Sequence, residues 1–264
     1  MSDGVDTHTQ TRLRRGQLRR RTKEREGALL SQRASAHTER KIRMQQAFSL
    51  EVEAILQTLL ERYPPLKPLE EKIRAAYLLL YGCCRQRGLV LVCGNGGSAA
   101  DSEHIVGELM KGFVKRRPLE EGERRRFSSR WGEEGEDLAR RLQGAIPALS
   151  LVSQTALMTA FCNDEDPQMV FAQQVYGYSR LGIPVLLVGL STSGSSANVV
   201  NAVKTAAALG MQTVGITGSK GGAMASLCDV SLALPAEETY QVQELTLPVY
   251  HALCAMAEAA LFKE

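Results

Sequence analysis

The spacing of apolar residues changes its period several times along this chain. Over 47–62, Phe48, Val52, Ile55, Leu56, Leu59 and Leu60 recur at three and four, which predicts an amphipathic helix that Pro64 and Pro65 end. A second helix is expected over 69–87, with Gly88 as its C-cap. LVLVC (89–93) is a short continuous apolar run, the pattern of a strand buried on both faces. GNGGS follows, then a helix over 99–113. AIPALSLV (145–152) predicts a strand, SQTALMTAFCND (153–164) a helix running into a turn, and 168–180 another helix. IPVLLVGLS (183–191) is a strand, STSGSS a loop, and the helix after it is capped at Gly210. MQTVGITG (211–218) is a strand, AMASLCD a short helix, VSLALP a strand, and 240–262 one long helix. Strands alternating with helices imply an α/β fold with a mainly parallel sheet and helices on both faces.

Two stretches break the pattern. Residues 114–142 are charged, with one Trp and few aliphatics, and are expected to form a surface insertion, a helical lid. Residues 1–43 carry 12 Lys/Arg against 5 Asp/Glu, a net +7, whereas the remainder is −4. The basic character thus belongs to an N-terminal arm, expected to be disordered, or to a start placed upstream of Met44; the folded part spans 44–264. RLRRGQLRRRTKER lacks aromatics for base stacking and a strong apolar face, so a nucleic-acid partner is disfavoured. No apolar run reaches the ~20 residues of a membrane span. The six cysteines form no CxxC, which suits reduced thiols and a cytoplasmic location.

Candidate chemistry gathers at two loops. Gly94, Gly96 and Gly97 permit close approach of a ligand, and Ser98 can cap the helix beyond them, where an anion could bind. Ser191, Thr192, Ser193, Ser195 and Ser196 offer five hydroxyls after another buried strand. The loop has no lysine, so a phosphate would be met by dipoles and hydrogen bonds. Ligands of open α/β sheets sit at such strand ends, and a compact phosphorylated metabolite is favoured. Of four histidines, only His104 and His251 lie outside the arm. His104 and Glu108 share a helix face, as do Gln243 and His251. Two chemistries remain open: proton transfer beside a carbonyl, or a zinc site of His, Glu, Gln and His that polarises the carbonyl.

CGNGGSAADSEHIVGEL, AFCND, STSGSSANVVNAV, GITGSKGGAMA and QVQELTLPVYHALC, in this order, resemble the SIS-domain phosphoheptose isomerases. The resemblance implies a three-layer α-β-α sandwich and an aldose–ketose isomerase that interconverts sedoheptulose 7-phosphate and D-glycero-D-manno-heptose 7-phosphate. It implies that Asn95, Gly96 and Gly97 contact the sugar together with Asn163 and Asp164, with Ser98, Glu108 and Gln243 also facing substrate. Ser191, Thr192, Ser193 and Ser196 would cradle the phosphate, and Glu108 and His251 would form the acid–base pair. Zinc-binding members use positions matching His104, Glu108, Gln243 and His251, and members are homotetramers with sites at subunit interfaces. The chain departs from the family in having Thr246 three residues after Gln243, where a His is common. Pro248 is expected to kink the last helix. The alternatives are a non-catalytic module of the type that assists a replication initiator, and an isomerase or lyase of another phosphosugar. The non-catalytic relatives lose the last histidine, which is present here.

Overall fold

The computed structural model describes residues 47–262. The expected basic arm over 1–43 lies outside the described residues. The chain opens with α1 (Leu50–Arg62), which Ser49 caps by accepting from the Val52 N–H, and a 3-10 turn (Pro64–Leu69). Next come α2 (Glu70–Arg85), β1 (Leu89–Cys93), α3 (Gly97–Met110), α4 (Glu121–Arg141) and β2 (Ala148–Ser150). A third group holds α5 (Thr155–Asp164), a 3-10 turn (Pro167–Met169), α6 (Val170–Ser179) and β3 (Val185–Ser191). The chain ends with α7 (Ala197–Ala208), β4 (Gln212–Thr217), α8 (Met224–Leu227), β5 (Val230–Ala233) and α9 (Thr239–Leu261).

The strands form one parallel sheet in the order β2-β1-β3-β4-β5. Both faces are covered, which is why β1 and β3 read as unbroken apolar runs. On one face Leu91, Cys93 and Leu187 pack against Phe171 and Val175 of α6 and Val199 and Val203 of α7. On the other, Val90, Leu186 and Val214 meet Leu80 of α2, Leu109 of α3 and Leu253 of α9. The result is a three-layer sandwich. From β1 the chain goes to one side, to β2, and from there to the other side, to β3. The loops leaving β1 and β3 therefore diverge and open a crevice at the carboxyl ends of adjacent strands.

Several expectations are corrected. Gly88 is not the left-handed residue that ends α2; Arg87 is, with φ 55°. Gly88 instead bonds its N–H to the Cys83 carbonyl, and a Cβ there would collide with the Pro184 carbonyl and the Cys83 sulfur. The strand expected over 145–152 shrinks to three residues at the sheet edge, after Pro147, which has no N–H to donate. The kink expected at Pro248 is not among these corrections: α9 is one helix with Pro248 buried inside it.

The 114–142 segment has two parts. Residues 121–141 are helical but interrupted at Gly132, with φ 59° and ψ −132°. Arg124 and Glu136, 12 residues apart, are ion-paired. Along a straight helix they would lie about 18 Å apart, so the two halves fold back as a hairpin. Gly135 lets them cross closely, since a Cβ there would strike the Phe127 carbonyl. Trp131, beside the turn, is exposed. The neck of the excursion is mostly surface but sends one side chain inward. Arg117 is fully buried and meets Glu258 of α9 at 2.7 Å. Its other nitrogens donate to the carbonyls of Leu109 (2.7 Å) and Glu108 (3.0 Å), which close the C-terminal end of α3. Glu258 also accepts from the N–H groups of Phe113, Val114 and Lys115.

Candidate active site

The crevice between the β1 and β3 loops holds a cleft of ≈ 220 Å³ lined by Asn95, Gly96, Gly97, Ser98, Leu190, Ser191, Thr192, Ser196, Thr239 and Gln243. This is below the ~300 Å³ at which drug-sized pockets begin, and it suits a compact polar group rather than a nucleotide. Three helices begin at the cleft: α3 at Gly97, α7 at Ala197 and α9 at Thr239. Each N-terminus carries a partial positive charge and unpaired N–H groups. Convergence of three such ends could hold an anion although the lining has no Lys or Arg.

Two glycines make the cleft possible. Gly96 has φ 58°, which turns the chain from strand to helix. A Cβ on Gly97 would occupy the place of the Gln243 amide. α3 starts at Gly97 rather than at 99, with Gly96 as its N-cap and no side-chain cap. Ser98 therefore does not cap the helix but lies in its first turn, in the cleft wall. In the serine loop, Ser191 Oγ lies 3.0 Å from Ser196 Oγ and 3.4 Å from Ser193 Oγ. Ser193 is used within the loop, accepting from the Ser195 N–H, and is not in the lining. Thr246 is buried and donates to the Val242 carbonyl, back along its own helix.

Two to three turns further along the same helices, outside the cleft lining, α3 and α9 bring His104, Glu108 and His251 together, with one donor atom of each within 4.8 Å of the others. His104 Nε2 lies 3.1 Å from Glu108 Oε1 and 3.4 Å from His251 Nε2. A tetrahedral ion with bonds of ~2.0–2.1 Å keeps its ligands roughly 3.3–3.4 Å apart, so these spacings and the N, N, O donor set fit zinc. Lys111 Nζ holds the second Glu108 oxygen at 3.1 Å. Burial, aided by the nearby His104, depresses the His251 pKa below its usual value, which favours the neutral imidazole.

Asn163 and Asp164 are not brought to the cleft. They end α5, a helix with no buried residue, and are exposed, with the Asn163 amide bonded to the Asp164 carboxylate at 2.8 Å. Sequence reasoning also missed residues that shape the site. Asn95 and Asn198 exchange two amide hydrogen bonds of 2.9 Å across the crevice, tying the glycine loop to α7. Thr239 lines the cleft. Asp101 and Tyr250 contact His104 or its partners. Asp101 stands three residues before His104 and Tyr250 next to His251, so helical neighbours of the histidines were the available signal.

Residues 48–140 and 168–260 each match an SIS domain family. The two matches fall on successive parts of the same five-stranded sheet. A phosphoheptose isomerase of Desulfovibrio desulfuricans is 36% identical over 72% of this chain and 78% of its own length. One from Rhodospirillum rubrum is 33% identical over 80% of this chain and 97% of its own. The solved phosphoheptose isomerase of Neisseria gonorrhoeae is 31% identical, with a TM-score of 0.56, covering 87% of this chain and 99% of its own.

Proposed function

The chain belongs to the SIS-domain phosphoheptose isomerase family, and from that premise we propose that it interconverts sedoheptulose 7-phosphate and D-glycero-D-manno-heptose 7-phosphate through an enediol. The observation that carries this reading is the meeting of Glu108 and His251, from separate helices whose N-terminal ends help wall the cleft. The phosphoryl group takes the cleft, held by Ser191, Thr192 and Ser196 and by loop N–H groups, with Ser193 bracing the loop. Asn95, Gly96, Gly97, Ser98 and Gln243 contact the sugar. This anchoring sets the reactive carbons at the His104–Glu108–His251 cluster. One of Glu108 and His251 takes the proton from the ketose C1 while the other protonates the C2 oxygen. Return of a proton to C2, with loss of the C1 hydroxyl proton, gives the aldose. The depressed pKa of His251 favours the neutral ring, whose lone pair is available to a proton.

His104, Glu108 and His251, with Gln243 as a fourth donor, are the residues that would hold zinc. Zinc bound there would polarise the substrate carbonyl. A residue tightly bound to the ion would not be free to act as the base. A homotetramer belongs to the same reading. It is supported by α5, in which no residue is fully buried and whose exposed Asn163 and Asp164 would serve a site completed by a neighbouring subunit. No described helix is long and apolar enough to cross a membrane, which is compatible with the proposed cytoplasmic location. The test is a panel of phosphosugars assayed for aldose–ketose conversion. The heptose phosphate should turn over fastest; no turnover across the panel overturns the reading, and faster turnover of another sugar reassigns the substrate.

A further inference from the structure

Tyr250 is buried, one position before His251 on α9. Its hydroxyl lies 3.2 Å from Asp101 Oδ1 and 2.9 Å from His104 Nδ1. A phenol has one proton to donate, and an ionised carboxylate can only accept. The Tyr250 proton therefore goes to Asp101, and its oxygen is left to accept from His104. That places a proton on Nδ1 and leaves the lone pair on Nε2. The Nε2 atom is the one facing Glu108 Oε1 at 3.1 Å and His251 Nε2 at 3.4 Å.

We propose that Tyr250 is a positioning residue whose hydroxyl, backed by Asp101, holds His104 as the Nδ1–H tautomer and presents the Nε2 lone pair to the space shared with Glu108 and His251. The choice of tautomer follows from the two partners of the hydroxyl and the ionised Asp101, and it holds against the pull of Glu108 Oε1 on Nε2. Its consequence for metal affinity rests on reading that cluster as a zinc site. Ligating histidines are oriented through the other ring nitrogen, and losing that partner typically weakens the metal by 10- to 100-fold.

Tyr250→Phe keeps the ring and removes the hydroxyl. Long-range 1H–15N spectra of the full chain, metal-free and labelled at histidine, read the tautomer directly. His104 should be Nδ1–H in the parent and a mixture in Tyr250→Phe. Chelator competition should then show zinc binding weakened at least 10-fold. Nε2–H in the parent, or unchanged Nδ1–H in the variant, overturns the proposal. So does zinc affinity within twofold of a parent that binds zinc. A parent that takes up no zinc sinks the metal reading, while the tautomer result still decides on Tyr250. A purely structural role would lower the melting temperature without moving the tautomer.

Discussion

Gly97 and His251 act at single positions but through different physics. Gly97 is required for space, because its missing Cβ leaves room for the Gln243 amide. Gly97→Ala should displace Gln243 and raise the KM for the phosphosugar at least tenfold, while the melting temperature moves little; steady-state kinetics beside a thermal melt check both. His251 is required for its ring. His251→Gln should lower kcat by about 10²–10⁴-fold, the usual worth of a general acid or base. Retention of parental turnover would remove His251 from the chemistry. At this scale the sequence was informative where chemistry narrows the choice, as with His104, Glu108 and His251. It was silent on Asn198 and Thr239, whose types are common on helix ends and which gain a role only when the sheet order brings them to the crevice.

At the scale of elements, the joint between α3 and α9 is held by a charge pair that the sequence disguised. Arg117 lies in a run of charged residues that reads as surface, and only the fold reveals that it is enclosed. Burial pushes the Glu258 carboxyl up, but hydrogen bonds from Phe113, Val114 and Arg117 outweigh it and hold the pKa below the usual range. Glu258→Gln should destabilise the protein by ~3–5 kcal/mol at neutral pH, because Arg117 is left buried without a counter-charge. A group with a depressed folded pKa stabilises above its unfolded value of about 4.3, and that contribution is lost as pH falls through the folded value. The gap between parent and variant in urea midpoint should therefore be widest near neutrality and shrink in acid. The hairpin beyond this neck behaves oppositely. The Arg117 carbonyl accepts from the Gly144 N–H at 2.6 Å, so its ends already meet, and α4 buries only Gly135 and Ala139. Replacing 119–142 by a short glycine linker should leave the urea midpoint close to that of the parent. The helix periods were legible from the sequence. The fold-back at Gly132 was not, because a glycine within a charged helical run gives no direction of turn.

For the whole molecule, the strand order matters more than any one loop. Alternating periods indicated a parallel sheet, but the reversal between β1 and β3 is a long-range choice that local patterning does not encode. It is this reversal that sets three helix starts around one opening. A site built on helix ends instead of lysines should lose phosphosugar affinity only mildly as ionic strength rises, since fixed dipoles at short range are poorly screened. Titration at low and high salt checks this. Light scattering should give the mass of four chains, and a monomer would remove the role assigned to α5. The Arg117–Glu258 contact joins segments 141 residues apart and straddles the hairpin. Exchanging either member alone passes through a stranded ion, so drift at the two positions is locked together. Descendants of this chain are free to lengthen, shorten or discard the excursion, and they should inherit the two members of the lock together or replace both at once.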